Sequence, residues 1–190
     1  MIDDEGENVT TMAVITVSGG ATPVIANVNK SSGAPDDSVQ VTLSGFLANW
    51  TAEYSWDGTT WFSNVSTVTN ASGAASFTIW VPDLPGGVKT LTFRTAGVSD
   101  TFAFTLLPSL LVNRNSTIDF TAVLRGLNAT ADLESSDGVQ WWPIGSTTPD
   151  SSGLAGLMFT LNPLPGGTIP VRALIGGVPI AMVEALSIWP

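Results

Sequence analysis

Short stretches in which apolar and polar residues alternate recur along the whole chain. They read SVQVTLSG at residues 38–45, SFTIW at 76–80, KTLTFRT at 89–95 and TFAFTL at 101–106. Alternation with a period of two places successive side chains on opposite faces of an extended strand, and Gly-rich turns separate these stretches. No stretch combines a helical period with capping residues. The pattern therefore predicts an all-β protein built of short strands.

The chain repeats itself at a distance of about 80 residues. The stretch SWDGTTW at 55–61 returns as SSDGVQWW at 135–142, and Leu-Pro-Gly-Gly occurs at 84–87 and again at 164–167. Upstream of the Asp-Gly pair the two copies are out of step by a single residue. A period of this length is too long for a solenoid repeat and matches a small β-sandwich. We therefore expect two tandem immunoglobulin-like sandwiches at 21–107 and 108–190, after an N-terminal arm at 1–20.

Each copy carries an Asp-Gly pair followed by tryptophan. Asp-Gly between two strand-like runs predicts a hairpin turn, because glycine adopts positive φ and aspartate tolerates it. Trp61 and Trp141 then lie on the returning strands as packing residues. In an alternative interpretation Trp50, Trp56 and Trp61 share an exposed face and stack against sugar rings.

The first copy resembles a known family in its opening residues. The run TPVIANVNKSSGAPDDSVQVTLSGF at 22–46 is similar to the start of an IPT/TIG-type immunoglobulin-like domain, with its Ser-Gly loop, polar turn, alternating strand and Ser-Gly-Phe ending. The second copy, LPSLLVNRNSTIDFTAVLRGL from Leu107, keeps the alternating strand but lacks the Ser-Gly loop. Such domains occur in bacterial surface, filament and phage virion proteins. The resemblance implies a structural or binding role and no particular ligand.

Composition excludes several classes of function. The chain has no cysteine and no histidine, which removes thiol nucleophiles, imidazole bases and most transition-metal sites. The acidic pairs lack the spacing of a calcium loop, and no carboxylate pair has a recognisable glycosidase setting. We therefore predict no enzymatic activity, no metal site and no cofactor. A net charge of −10 disfavours nucleic acid, and no apolar window is long enough for insertion into a membrane.

Seven of the ten asparagines lie in Asn-x-Ser/Thr sequons. This is more than chance placement predicts, although Asn, Ser and Thr also cluster in β-turns. The functional interpretation is an N-glycosylated extracellular surface. The candidate sites are Asn8, Asn29, Asn49, Asn64, Asn70, Asn115 and Asn128.

The N-terminal arm contains a strand-like segment, Thr11 to Val17, followed by Ser-Gly-Gly. Met12 and Val14 are apolar on one face of this segment, and Ala13, Ile15 and Val17 are apolar on the other. A strand that is apolar on both faces favours burial on both sides. It is either the first strand of its own sandwich or a donor strand that completes the sheet of a neighbouring subunit.

The sequence thus predicts a non-enzymatic structural protein that polymerises head to tail into an extracellular, surface-attached filament through its donor strand. Its partners are copies of itself, with glycans as further candidates. If the chain is secreted, its leader peptide has been removed from the printed sequence or export uses another route. The alternatives are a phage virion decoration or tail protein and a carbohydrate-binding surface module.

Overall fold

The computed structural model describes residues 24–63, 67–96, 98–116, 118–161 and 168–186. Within these ranges the chain is all-β. Fourteen strands form two immunoglobulin-like sandwiches in tandem, each with its own core. None of the described elements is a helix with the length and apolarity that crossing a bilayer requires.

Domain 1 comprises the first seven strands, and its two sheets face each other across one core. One sheet has the order β1-β3-β5 and the other β2-β7-β6-β4. Their bounds are β1 Val24–Val28, β2 Ser32–Gly33, β3 Ser38–Ser44, β4 Glu53–Ser55, β5 Ala75–Trp80, β6 Gly87–Thr95 and β7 Val98–Leu106.

Domain 2 repeats this arrangement, but its four-stranded sheet has no described counterpart of β2 and has an additional strand at the opposite edge. Its sheets have the orders β12-β9-β8 and β11-β10-β13-β14. The bounds are β8 Ser109–Arg114, β9 Asp119–Arg125, β10 Ala131–Ser136, β11 Trp141–Thr147, β12 Ala155–Thr160, β13 Thr168–Ile175 and β14 Val178–Leu186.

The predicted alternation decides which side chains form the cores. Val39, Val41 and Leu43 of β3 are fully buried, whereas the intervening residues face outward. The same holds for Leu91 and Phe93 of β6. Each pleat therefore contributes one apolar face to the sandwich, which is the physical basis of the sequence pattern.

The two Asp-Gly turns form as predicted. In domain 2, β10 and β11 are antiparallel, with Ser136 opposite Trp141, and Gly138 has φ of 90°. In domain 1 the turn contains Gly58, with φ of 75°, and the returning chain makes a single bridge from Phe62 to Tyr54.

The strand pairing orients both domains along one axis. Val24, the start of β1, pairs with Ser44, the last residue of β3, while the other end of β3 leads back to Asp36 at the boundary with domain 2. In domain 2, Arg125 ends β9 at this boundary and Asp119 begins β9 at the far end. We call the end of domain 1 at Val24 the N-terminal pole, the boundary between the two domains the junction, and the end of domain 2 at Asp119 the distal pole. The chain thus enters domain 1 at the end remote from domain 2.

Candidate functional site

The out-of-step residue in the repeat is Trp56. In domain 1 the hydroxyl of Ser55 accepts a hydrogen bond from the backbone N–H of Gly58 at 2.8 Å, three residues on. In domain 2 the hydroxyl of Ser136 accepts the same bond from Gly138 at 3.0 Å, only two residues on. The turns are otherwise equivalent, so domain 2 has no counterpart of Trp56.

Trp56 closes the junction end of the domain 1 core. Its side chain is 3% exposed, and its ring meets Phe104 edge to face with centroids 5.1 Å apart. Tyr54 lies nearby and stacks on Phe62 at 5.5 Å and on Phe77 at 6.3 Å. These aromatic side chains pack between the two sheets of domain 1 at this end, and Tyr54, Trp56 and Phe62 also line a cavity of about 270 Å³ there.

At the equivalent end of domain 2, its distal pole, the residues that the structure describes do not fill the space between the sheets. Ser135 takes the place of Tyr54, and Trp56 has no counterpart. A cavity of about 350 Å³ lies at this end of domain 2. Leu161 and Ile169, both members of the domain 2 core, line it, and Trp142 at its rim is 51% exposed. The remaining lining residues are Ser136, Asp137 and Thr160. The sequence of domain 2 lacks counterparts of these two aromatic residues, and its core is correspondingly less well packed at this end.

Next to this cavity, one edge of domain 2 runs between β11 and β12, the edge strands of its two sheets, and Leu157 of β12 packs close to Gly145 of β11. At the junction end, the hydroxyl of Thr147 donates to the carbonyl of Gly156 at 2.9 Å and closes the gap between the sheets. Further along β12, Leu157 and Phe159 point toward the core but are only half-buried. Their counterparts on β5 of domain 1, Phe77 and Ile79, are 5% and 1% exposed. We call this edge of domain 2, from Thr147 to the distal cavity, the β11–β12 slot.

The aspartates of both turns are held as carboxylates by backbone donors. Asp57 accepts hydrogen bonds from the N–H groups of Thr60 and Thr59, each at 2.7 Å, which lower its pKa. The N–H groups of Gln140 and Val139 lower the pKa of Asp137 in the same way. Asp137 also accepts a long bond of 3.4 Å from the indole N–H of Trp142. A negative charge is thus fixed at the rim of the distal cavity.

The junction is held by one arginine of domain 2. Arg125 donates to Asp83 through Nε at 2.5 Å and Nη2 at 2.8 Å, and it also binds both carboxylate oxygens of Asp36. The hydrogen bond from Arg125 lowers the pKa of Asp36, and the bonds to Asp83 and then Asp36 raise the pKa of Arg125. A planar guanidinium shared by two carboxylates restrains distance and direction together, so it fixes the two domains relative to each other.

Replacing Arg125 by alanine should therefore loosen the junction without unfolding either domain. We expect small-angle X-ray scattering to show a wider spread of overall dimensions for Arg125→Ala than for the parent chain. Arg94→Ala is the matched control, because Arg94 pairs with Glu53 inside domain 1 at 2.8 Å. Identical scattering curves for Arg125→Ala and the parent would show that other contacts hold the junction.

A second duplicated cluster lies on the outer face of each four-stranded sheet. In domain 1, Arg94 binds Glu53 and its guanidinium carbon lies 3.5 Å from the centre of the Trp61 ring. Domain 2 repeats the cluster with Arg172, Glu134 and Trp141, the last at 4.0 Å. The sequence analysis missed these clusters, because Arg94 and Arg172 are 78 residues apart and do not align at the 80-residue spacing of the repeat. Packing of the arginine on the indole accounts for both tryptophans as packing residues.

The shared exposed face predicted for three tryptophans is wrong, because Trp56 belongs to the core. Trp61 is half-buried and covered on one side by Arg94, whereas Trp50 is 51% exposed. The structure does not bring the three rings to one surface. Trp56 belongs to the domain 1 core and Tyr54 packs against it, so both side chains face the opposite sheet.

The other predicted sites fall partly outside the described residues. The donor-strand residues lie outside the described residues, and so do the sequon asparagines Asn8 and Asn64. The remaining sequon asparagines are all exposed, namely Asn29, Asn49, Asn70, Asn115 and Asn128. Among the residues that the structure describes, no three Asp, Glu, His or Cys side chains come together as a metal site. Asp36 of the acidic pair binds Arg125, and Asp37 binds Lys30 at 3.1 Å.

Comparison with known proteins gives similarities to solved structures only. No family model and no curated protein matches the chain, so the IPT/TIG resemblance stays a prediction. SGBP-B from a complex xyloglucan utilization locus in Bacteroides uniformis has 16% identity and a TM-score of 0.31, and the match covers 88% of this chain and 49% of that one.

Two further structures have similar values. The human OSCAR ligand-binding domain has 15% identity and a TM-score of 0.31, with 89% of this chain and 98% of that one covered. A tetra-tandem repeat in the extending region of a large adhesion protein has 15% identity and a TM-score of 0.34, covering 87% of this chain and 49% of that one. The likeness is one of fold.

Proposed function

We propose that this chain is a non-enzymatic structural subunit that assembles head to tail into an extracellular, surface-attached filament. In this assembly the distal pole of one copy receives the N-terminal pole of the next. The segment Thr11 to Val17, which lies outside the described residues, is added to the neighbour as a donor strand.

The observation that carries the proposal is the difference between two equivalent ends of the two domains. At the end of domain 1 that carries the Asp-Gly turn, Trp56 is buried in the core, and Asp36 and Asp83 bind Arg125 of domain 2. The same end of domain 2 has a cavity lined by polar and apolar residues, with an exposed Trp142 at its rim. An exposed Trp142 beside a surface cavity at one end of the subunit favours a heterologous contact that repeats from copy to copy.

The junction supports the same proposal. A filament of regular geometry requires a fixed relation between the two domains of each subunit, because variation in that relation accumulates along the polymer. Arg125 and its two carboxylates supply such a restraint. Close backbone contact adds to it, since a side chain at Gly153 would lie 2.9 Å from Cα of Pro85.

Deleting residues 1–20 should abolish polymerisation while leaving both sandwiches folded. Negative-stain electron microscopy of the purified parent chain is expected to show filaments, and the truncated chain should remain monomeric in analytical ultracentrifugation. The reason is that the truncation removes the donor strand but none of the described core residues.

The control replaces the deleted segment instead of removing it. A full-length chain in which Met12, Val14 and Ile15 are changed to aspartate keeps the length and disfavours burial of the strand, so it should also stay monomeric. Filaments formed by the truncated chain would contradict strand addition, and a parent chain that forms no polymer would contradict the proposed function as a whole.

A further inference from the structure

We propose that the β11–β12 slot of domain 2 is the acceptor for the donor strand, and that it binds residues 11–17 of a second copy. This inference rests on the proposed function and names the partner surface that the function requires. It follows from the chemistry of the strand edges, the burial along the slot and the distance between the poles.

Among the edge strands of domain 2, β12 is the least protected against pairing with a further strand. Proteins guard open edges with charges, prolines or distortions, because an unpaired edge adds further strands. The other edge strands of this domain carry such guards, namely Arg114 in β8, Pro143 in β11, and Pro179 and Glu184 in β14. The edge strand β12 reads Ala-Gly-Leu-Met-Phe-Thr and has neither charge nor proline.

Burial along the slot shows that apolar core surface is left uncovered. Leu157 and Phe159 of β12, together with Ile144 of β11, pack against the core of domain 2 but are only partly buried. Met158, on the outer face of the same strand, is 76% exposed. A strand laid along β12 would cover the inward side chains with one of its faces and extend the outer sheet surface with the other.

The segment Thr11 to Val17 has the complementary composition. Both of its faces are apolar and it carries no charge, so it loses little by desolvation on either side. Its seven residues extend over about 20 Å, which is the length of a strand of this sandwich. Main-chain hydrogen bonds to β12 would provide the pairing, and alternate side chains would enter the slot.

In the proposed head-to-tail assembly the donor comes from another copy. Val24 begins β1 at the N-terminal pole, and the open mouth of the slot is at the distal pole, so two strand lengths of about 40 Å separate them. The six residues 18–23 between the donor segment and Val24 span at most about 20 Å. A neighbour whose N-terminal pole rests on the distal pole has its donor segment directly at the mouth.

Disulfide trapping tests the acceptor directly, because the chain has no cysteine of its own. Met158→Cys is combined in turn with a single cysteine at each position from 12 to 17 of the full-length chain. Under mild oxidation, non-reducing gels should show ladders of dimers and higher species. Opposed residues in paired strands project to the same face, so the ladders should appear at alternate positions of the scan.

The matched control uses Thr78→Cys, which takes the place of Met158 on β5, the equivalent edge strand of domain 1, and it should give no ladder because the inward residues Phe77 and Ile79 are already buried. Mixing chains that carry Val14→Cys or Ile15→Cys with chains that carry Met158→Cys should give mixed dimers if donor and acceptor belong to different copies. Filaments that form without any cross-link to Met158→Cys would overturn the acceptor assignment alone. Cross-linked monomers would overturn the intermolecular pairing, and absence of filaments from the parent chain would remove the proposed function with it.

Discussion

Replacing Trp56 by alanine is expected to destabilise domain 1 by about 3–5 kcal/mol, the range measured for truncation of buried aromatic residues. Trp56 is 3% exposed and packs against Phe104 with ring centroids 5.1 Å apart. Removing the indole leaves a cavity between the two sheets at the junction end, because the strands on either side are held by their own hydrogen bonds and cannot close over it. Domain 1 would then resemble the open end of domain 2.

Urea unfolding followed by circular dichroism measures this effect, with the transition of domain 1 moving to lower urea and that of domain 2 unchanged. Trp50→Ala is the matched control, since Trp50 is 51% exposed and its removal should change stability by less than about 0.5 kcal/mol. A cost for Trp56→Ala as small as that of Trp50→Ala would mean that the domain 1 core does not depend on the indole.

Replacing Gly73 by alanine is expected to cost on the order of 2–4 kcal/mol, from left-handed backbone strain and a steric clash together. Gly73 has φ of 73°, and an added Cβ would lie 1.9 Å from the carbonyl oxygen of Phe46. That carbonyl belongs to a loop held by the bond from the N–H of Phe46 to the carbonyl of Gly73, at 3.2 Å. The clash therefore cannot be relieved without breaking the contact between the two loops.

Gly58→Ala separates the two causes. Gly58 has nearly the same φ, 75°, but nothing lies within 4 Å of its added Cβ, so this variant has the backbone strain alone. We expect it to cost about 1 kcal/mol in thermal unfolding, and the excess for Gly73→Ala measures the clash. Equal costs for the two variants would show that the loops near Phe46 yield freely.

The one extra residue in domain 1, which shifts the alignment of the two repeats, has a consequence for assembly. Ser55 and Ser136 make the same turn bond, so the extra Trp56 enters the core without disturbing the turn. Trp56 is thereby buried at the junction, whereas the equivalent end of domain 2 has a surface cavity and no such side chain.

The alternating pattern and the repeat were sufficient to predict the fold. Val39, Val41 and Leu43 form the core as their spacing indicates, and the Asp-Gly turns of both domains form where the sequence places them. These features depend on neighbours in sequence, since a period of two and the φ of glycine act locally. The same reasoning failed for the three tryptophans, whose exposure depends on which sheet lies opposite.

The sequence by itself determined the strands, the turns and the twofold repetition, because side-chain alternation and backbone freedom are properties of short segments. Only the tertiary structure decided that Arg125 joins Asp36 and Asp83 across the junction, since these residues are distant in sequence. It also decided that Leu157 and Phe159 remain partly exposed where Phe77 and Ile79 are buried. Burial is set by what packs from the opposite sheet, and at the distal pole the indole and phenol rings that would pack there are absent.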